Sequence, residues 1–289
     1  TDGWRRLMND RYHLNRKLVL QHFDEVSPAL REALLLQLLQ DKSRKIRYHA
    51  LDLITGHPIE HDEEWLERLA LDVYKPIREW AQKRLRSIFK GDFAGFYRQK
   101  MNENPNAGAL HGLAEMGNTS DLSTIRGFLN HRLCGLRATA LAAVNELDPT
   151  EGKALAFELL SDDALSVRKV AVRILSKDRV CFDLDRLREI YADGDVSTKR
   201  YVLKIMRHHG GWSIAGDFLK ATLEQDPALR TLGIEQLDHW ISYTKNLFTA
   251  ISEEDRTYVL GILNELERHD SSEATLEFTQ PFRNIFSTP

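Results

Sequence analysis

An all-α chain, folded as a stack of helical hairpins, is what the sequence predicts, and three observations carry that expectation. A cation preceded by an apolar or β-branched residue returns at a constant step along most of the chain. Counted from the residue before each such cation, the small and apolar positions form an i, i+4, i+5, i+8 stripe, the signature of an amphipathic helix. Strand signals are nearly missing; only Thr275-Leu276-Glu277-Phe278-Thr279 alternates like a strand. With 42% hydrophobic and 29% charged residues, the 289-residue chain has ample material for a packed core.

The elements follow in order. Residues before about 25 are expected to form an N-terminal cap helix, and the repeats to occupy 26–240. The cations Arg47, Arg78, Arg137, Arg168, Lys199 and Arg230, behind Ile46, Ile77, Leu136, Val167, Thr198 and Leu229, step by 31, 59, 31, 31 and 31. Asn106 stands where the long gap would be split, so seven repeats result, the third degraded. Three residues after each anchor comes a small or apolar side chain (Ala50, Ala81, Ala109, Ala140, Ala171, Val202, Gly233), which lets neighbouring helices approach closely. Four after come Leu51, Gln82, Leu110, Leu141, Val172, Leu203 and Ile234, completing a stripe to be buried. The segments in front carry apolar pairs three apart, such as Leu35 with Leu38 and Leu187 with Ile190, so each repeat reads as two antiparallel helices. Cap helices are expected over 241–269, with Ser252 as an N-cap. The tail 270–289 shows no long helical phase and is expected to pack on the last repeat or remain free for a partner. One solenoid domain over 1–289 results, because a lone hairpin would leave its apolar face in water.

Six residues before the anchors stand Asp41, Asp72, Lys100, His131, Asp162, Asp193 and Glu224. The anchor sits at the edge of the buried stripe, where a cation is partly desolvated and needs a partner, and the acidic residues of the turns can supply it. The third repeat has lost both members, Lys100 and Asn106. This pattern resembles the HEAT-repeat family over about residues 26 to 240, and the short step resembles the compact bacterial HEAT-like repeats. The resemblance implies a right-handed α-α superhelix, armadillo-like in class, in which the turn acid and the helix cation form a ladder between successive repeats. Asp41, Arg47, Asp72, Arg78, Asp162, Arg168, Asp193, Lys199, Glu224 and Arg230 are assigned to that ladder and so kept out of any binding site.

The net charge of −3 conceals segregation. The seven second helices, taken as 42–55, 75–90, 104–117, 132–147, 164–177, 196–209 and 227–240, hold 21 Lys and Arg against 6 Asp and Glu, leaving −18 for the rest of the chain. The HEAT resemblance puts second helices on the concave face, which implies a basic inner surface. Its candidate binding residues are Lys169, Arg173 and Lys177 in the fifth repeat, then Arg200, Lys204 and Arg207 in the sixth, with Lys83 and Arg86 in the second. The third and fourth repeats offer only Ala107, His111, Ala138 and Ala142 there. Such rows can meet carboxylates of a protein or phosphates of a nucleic acid; read as solvated helix faces, they bind neither.

Signatures of chemistry are sparse. HEAT-like deoxyhypusine hydroxylases hold iron with repeated His-Glu pairs, and no His-Glu dipeptide occurs here. HEAT-like alkylpurine DNA glycosylases share the expected basic groove, but no Trp-Trp-Asp cluster accompanies it. Nothing supports the bilin lyases of the same fold. His57 and His61 flank Pro58 and read as a polar turn, not a helical zinc pair. His208-His209-Gly210-Gly211 reads as a helix end. Cys134 and Cys181, without CxxC spacing, read as buried small hydrophobes. No cofactor or metal is expected. The opening at Thr1 suggests a fragment or a processed product, and no membrane span or signal stretch is visible, so a cytoplasmic setting is expected. Two functional expectations remain: a non-enzymatic scaffold binding a protein partner with an acidic segment on the basic concave surface, and a nucleic-acid-binding protein, in the manner of the alkylpurine DNA glycosylases, using the same residues.

Overall fold

The structure is a computed structural model and describes residues 2–56, 62–86, 88–177, 183–244 and 250–287. It is all-α: among the described residues there are eighteen α-helices and three short 3-10 helices, and no strand. Two compact units, Thr1–Leu147 and Asp148–Pro289, divide the chain. Each is described by itself.

In the first unit, α1 (Asp2–Met8) pairs with α2 (His13–Gln21), α3 (Pro28–Leu39) with α4 (Arg44–Gly56), α5 (Asp62–Ala70) with α6 (Lys75–Leu85), α7 (Phe93–Glu103) with α8 (Ala107–Met116), and α9 (Leu122–Arg126) with α10 (Cys134–Leu147). The second helices are also neighbours: α2 lies on α4, α4 on α6, and α8 on α10. In the second unit the pairs are α11 (Pro149–Glu158) with α12 (Leu165–Lys177), α13 (Leu184–Asp193) with α14 (Val196–His209), α15 (Ile214–Ala221) with α16 (Pro227–Thr244), and α17 (Glu253–His269) with α18 (Glu273–Ser287). Here α14 lies between α12 and α16, and α15 packs on α17.

The repeat register decides what is buried. Ile46, Ile77, Leu136, Val167, Thr198 and Leu229 are all buried, as are the small residues three after each anchor. Gly233 shows why size matters there: a Cβ would stand 3.0 Å from both the Phe218 carbonyl and the Ala221 side chain of α15. Four after the anchor the pattern weakens twice: Val172 is half-buried, and Ile234 on α16 is 45% exposed.

The ladder has a specific geometry. Arg47 donates to both oxygens of Asp72, in the next turn along the chain, at 2.6 and 2.8 Å, and its third nitrogen reaches the Asp41 carbonyl, in its own turn, at 2.7 Å. Each turn Asp also accepts a main-chain N–H just ahead of it: Asp41 from Ser43 at 2.7 Å, Asp72 from Tyr74 at 2.8 Å, Asp162 from Ala164 at 2.8 Å. The constant offset between turn acid and helix cation thus records a bond to the turn's backbone, while the charges pair across to the next turn. Arg137 donates to the His131 carbonyl at 3.0 Å, which accounts for an anchor cation without an acid at that offset. Lys199 pairs with Glu224 at 2.8 Å.

Several expectations are corrected. The N-terminal segment is a hairpin, not one cap helix, and Arg16, one repeat length before Arg47, pairs with Asp41 at 2.6 and 2.9 Å and with the Asp10 carbonyl at 2.8 Å. Arg78 finds no turn acid in the degraded repeat and ends on Glu115 of α8, at 2.5 and 3.2 Å. Asp193 closes α13 and is exposed; Asp195 caps α14 through the Thr198 N–H at 2.7 Å and lies within the field of Arg168. The Arg168 Nε is buried without a hydrogen-bond partner, its guanidinium 5.8 Å from the Tyr201 ring. Among the described residues Arg230, which is exposed, bonds only main-chain carbonyls, those of Glu224 and Gln225, at 2.9 Å. Cys134 is exposed because it opens α10 before the buried stripe begins at Leu136; Cys181 lies outside the described residues, as do His57, Pro58 and His61. The strand-like stretch 275–279 lies inside α18, where Thr279, Phe282 and Phe286 form the buried face. Phe286 stacks on Trp240 at 6.0 Å, so the tail covers the end of α16.

Candidate functional site: the basic rows of α12 and α14

Burial on one side forces the cations of α12 to the other. Val167, Ala171, Ile174 and Leu175 are buried, and Lys169, Arg173 and Lys177 stand exposed at every fourth position on the opposite face. On α14 the buried set is wider, Thr198, Val202, Leu203, Ile205 and Met206, because the helix lies between α12 and α16. That leaves a narrow exposed stripe in which Arg200, Lys204, Arg207 and His208 stand above Val196.

The two rows belong to adjacent helices and correspond one repeat apart: Lys169 with Arg200, Arg173 with Lys204. Helices packed side by side have axes about 8–10 Å apart, and four residues advance roughly 6 Å along each. No Asp or Glu occurs on either helix. Among the described residues none of Lys169, Arg173, Lys177, Arg200 and Arg207 pairs with a carboxylate, and Lys204 only leans over the Tyr201 ring at 6.0 Å. The field ends at α16, whose exposed side carries Glu235, Asp238 and His239.

Lys83 and Arg86 are exposed at the end of α6 in the first unit, beside Arg84, which lies 3.4 Å from the Trp80 ring centre. Helix α6 ends at Leu85, earlier than expected, so Arg86 follows its last turn. His111 and Ala142 are half-buried and Ala138 is buried, so that stretch is less open than expected.

Beyond the last cation of the α14 row is a hollow of 330 Å³ lined by Met206, Arg207, His208, Gly210, Ile214, Phe218, His239 and Trp240. Sequence reasoning read His208-His209-Gly210-Gly211 as a helix end, which it is, and missed the space that the two glycines leave. A larger groove, 1160 Å³, runs between α11, α13 and α17. Its charged groups are largely engaged in structure: Asp183 caps α13, Arg186 lies 4.7 Å over Phe157, and Arg188 donates to both oxygens of Asp217 at 2.9 and 3.0 Å. Tyr258 donates to the same carboxylate at 2.7 Å. Burial pushes the Asp217 carboxyl above its usual range despite these donors. These partners lie off the repeat register, which is why the sequence held no sign of them.

No family model matches the chain, and no curated protein does. Among solved structures, one engineered protein is similar over 100% of this chain and 90% of its own, at 14% identity and a TM-score of 0.43. A second engineered protein is similar over 72% of this chain and 95% of its own, at 15% identity and a TM-score of 0.31.

Proposed function

We propose that the hairpins continue one another as a right-handed HEAT-like solenoid, and that the chain is a non-enzymatic scaffold binding a protein partner through an acidic segment on its concave face. One observation carries this reading: two exposed cation rows on adjacent helices, in register, without a single carboxylate on either helix. Arg47 and Lys199 are spent on turn acids, Arg78 on Glu115 and Arg230 on backbone carbonyls, whereas the cations of these rows are held at the surface. Like charges kept this close repel, and an anionic partner relieves that repulsion while steering its own approach.

A titration of the full chain with polyglutamate, and with duplex and single-stranded DNA and RNA, at several salt concentrations tests the proposal. Polyglutamate should bind at low salt, weaken steadily as salt rises, and fail to bind the Arg173→Glu, Lys204→Glu double variant. Both substitutions are at exposed sites, so stability should change by less than about 0.5 kcal/mol. Binding unaffected by the double reversal would remove the face from consideration. Nucleic acid binding far tighter than polyglutamate, with a steep salt slope, would assign the same rows to phosphates.

A further inference from the structure

We infer that the hollow at the end of α14 is an anchor site for one large apolar side chain, leucine, methionine or phenylalanine, carried by the acidic partner segment next to its acidic run. The inference rests on the basic face being the docking surface and adds a specificity element to it.

The hollow exists for a local reason. Helix α14 ends at His209, and Gly210 and Gly211 continue at φ of 65° and 116°, left-handed backbone that glycine adopts without strain. Neither residue has a side chain to fill the space beneath the turn, and a Cβ built on Gly211 meets nothing closer than 3.8 Å. The floor is apolar and already in place: Met206, Ile214 and Phe218 are each 1% exposed and Trp240 is 3% exposed. Trp240 cannot swing to close it. Its indole N–H donates to the Gly211 carbonyl at 2.8 Å, and its ring is stacked on Phe286 at an interplanar angle of 17°.

The rim has the opposite character. Arg207 continues the α14 cation row up to the mouth, and His208 and His239 complete it; no carboxylate lines the hollow. A ligand seated here meets the exposed edges of these apolar side chains below and cations along one side. A volume of 330 Å³ stands at the lower end of the roughly 300–1,000 Å³ of small-molecule sites, room for one side chain rather than a folded element. Charge complementarity along Arg200, Lys204 and Arg207 selects an acidic segment, and the hollow selects where in that segment an apolar residue must fall.

A random peptide library displayed on phage, selected on the immobilised full chain and followed by resynthesis of the enriched peptides, tests this. Enriched peptides should pair an acidic run with a large apolar residue. Replacing that residue by alanine should weaken binding on the order of ten- to a hundred-fold, the effect of burying one such side chain. The variant His239→Trp, which places a larger ring at the mouth, should shrink the difference in affinity between the parent peptide and the alanine peptide. Independently of that variant's folding, p-benzoylphenylalanine at the anchor position should photolabel Met206 or its neighbours in the hollow. Acidic peptides with no apolar preference, or photolabelling elsewhere, would overturn the anchor and leave the basic face standing. Selection of peptides with no acidic run would overturn both.

Discussion

The ladder arginines combine two jobs in one side chain, and that explains their spacing. Arg47 ties its own turn together through the Asp41 carbonyl and reaches the following turn through Asp72, with both side chains nearly out of water at 12% and 9% exposure. Removing one partner strands the other. Asp72→Ala should therefore cost about 3–5 kcal/mol in urea unfolding, and Arg230→Ala, at an exposed site without a carboxylate partner, less than about 1 kcal/mol. Equal losses for the two would deny the ladder its role. Acid sensitivity follows from a second kind of pair. Arg98 donates to both oxygens of Asp121 at 2.7 and 3.0 Å and holds its carboxyl below the usual range, against the opposing effect of burial. A depressed folded pKa stabilises at pH above the unfolded value, about 3.9, and that contribution disappears as pH falls through the folded value. Asp121→Asn should flatten the fall in Tm on acidification below about pH 4, which thermal scans across that range would reveal. Asp217 has the reverse sign: its raised carboxyl favours folding at low pH and loses that contribution as pH rises through the folded value. At this scale the turn Asp and helix Arg were legible at their constant offset, but the direction of pairing was not. Spacing within a turn cannot say which neighbour a long side chain reaches. Arg16 stands one repeat length before Arg47 but was hidden by the polar Asn15 in front of it, where the other anchors have an apolar or β-branched residue.

Helix by helix, packing accounts for what the pattern left unexplained. The third repeat lost its charged pair and became small: α8 reads Ala-Gly-Ala-Leu-His-Gly-Leu-Ala-Glu-Met. A Cβ on Gly108 would stand 1.6 Å from the Leu71 carbonyl, and one on Gly112 would stand 2.2 Å from the Tyr97 ring. Close backbone approach has replaced the turn acid there, with Glu115 of the same helix receiving Arg78. Gly108→Ala should lower stability by about 1–3 kcal/mol or more, although alanine is the better helix former by about 1 kcal/mol. A neutral or stabilising result in chemical unfolding would mean that α8 does not approach the end of α5 this closely. Tyr97 bridges the same region, accepting from Gln82 at 2.8 Å and donating to the Ala70 carbonyl at 3.0 Å, and burial pushes its hydroxyl up to about 12. Helix α18 was the least legible element. Alternating Thr275, Glu277 and Thr279 mimics a strand, and Pro281 argues against a helix, yet Phe278, Phe282 and Phe286 fall at every fourth position. Docking against Trp240 and Trp212 settles the conformation; local preference alone does not.

For the whole molecule, the repeat converts a nearly neutral composition into an uneven distribution of charge. The exposed cations of α12 and α14 could be named from the sequence, because the stripe that must be buried leaves only one side for them. What could not be read was their freedom from carboxylates, which depends on tertiary neighbours, and the hollow beside them, which depends on a turn without side chains. Among the described residues no helix is long and apolar enough to cross a membrane. The repeat register sets the rows of α12 and α14 side by side as one basic surface. Cross-linking tests it most directly: in a background without Cys134 and Cys181, cysteines at Arg173 and Lys204 should be joined within one chain by a reagent spanning about 10 Å. Cysteines at Arg173 and at Glu189, on α13, serve as the comparison. Efficient joining of 173 to 204 is the predicted result, and its absence in a folded protein would contradict the account.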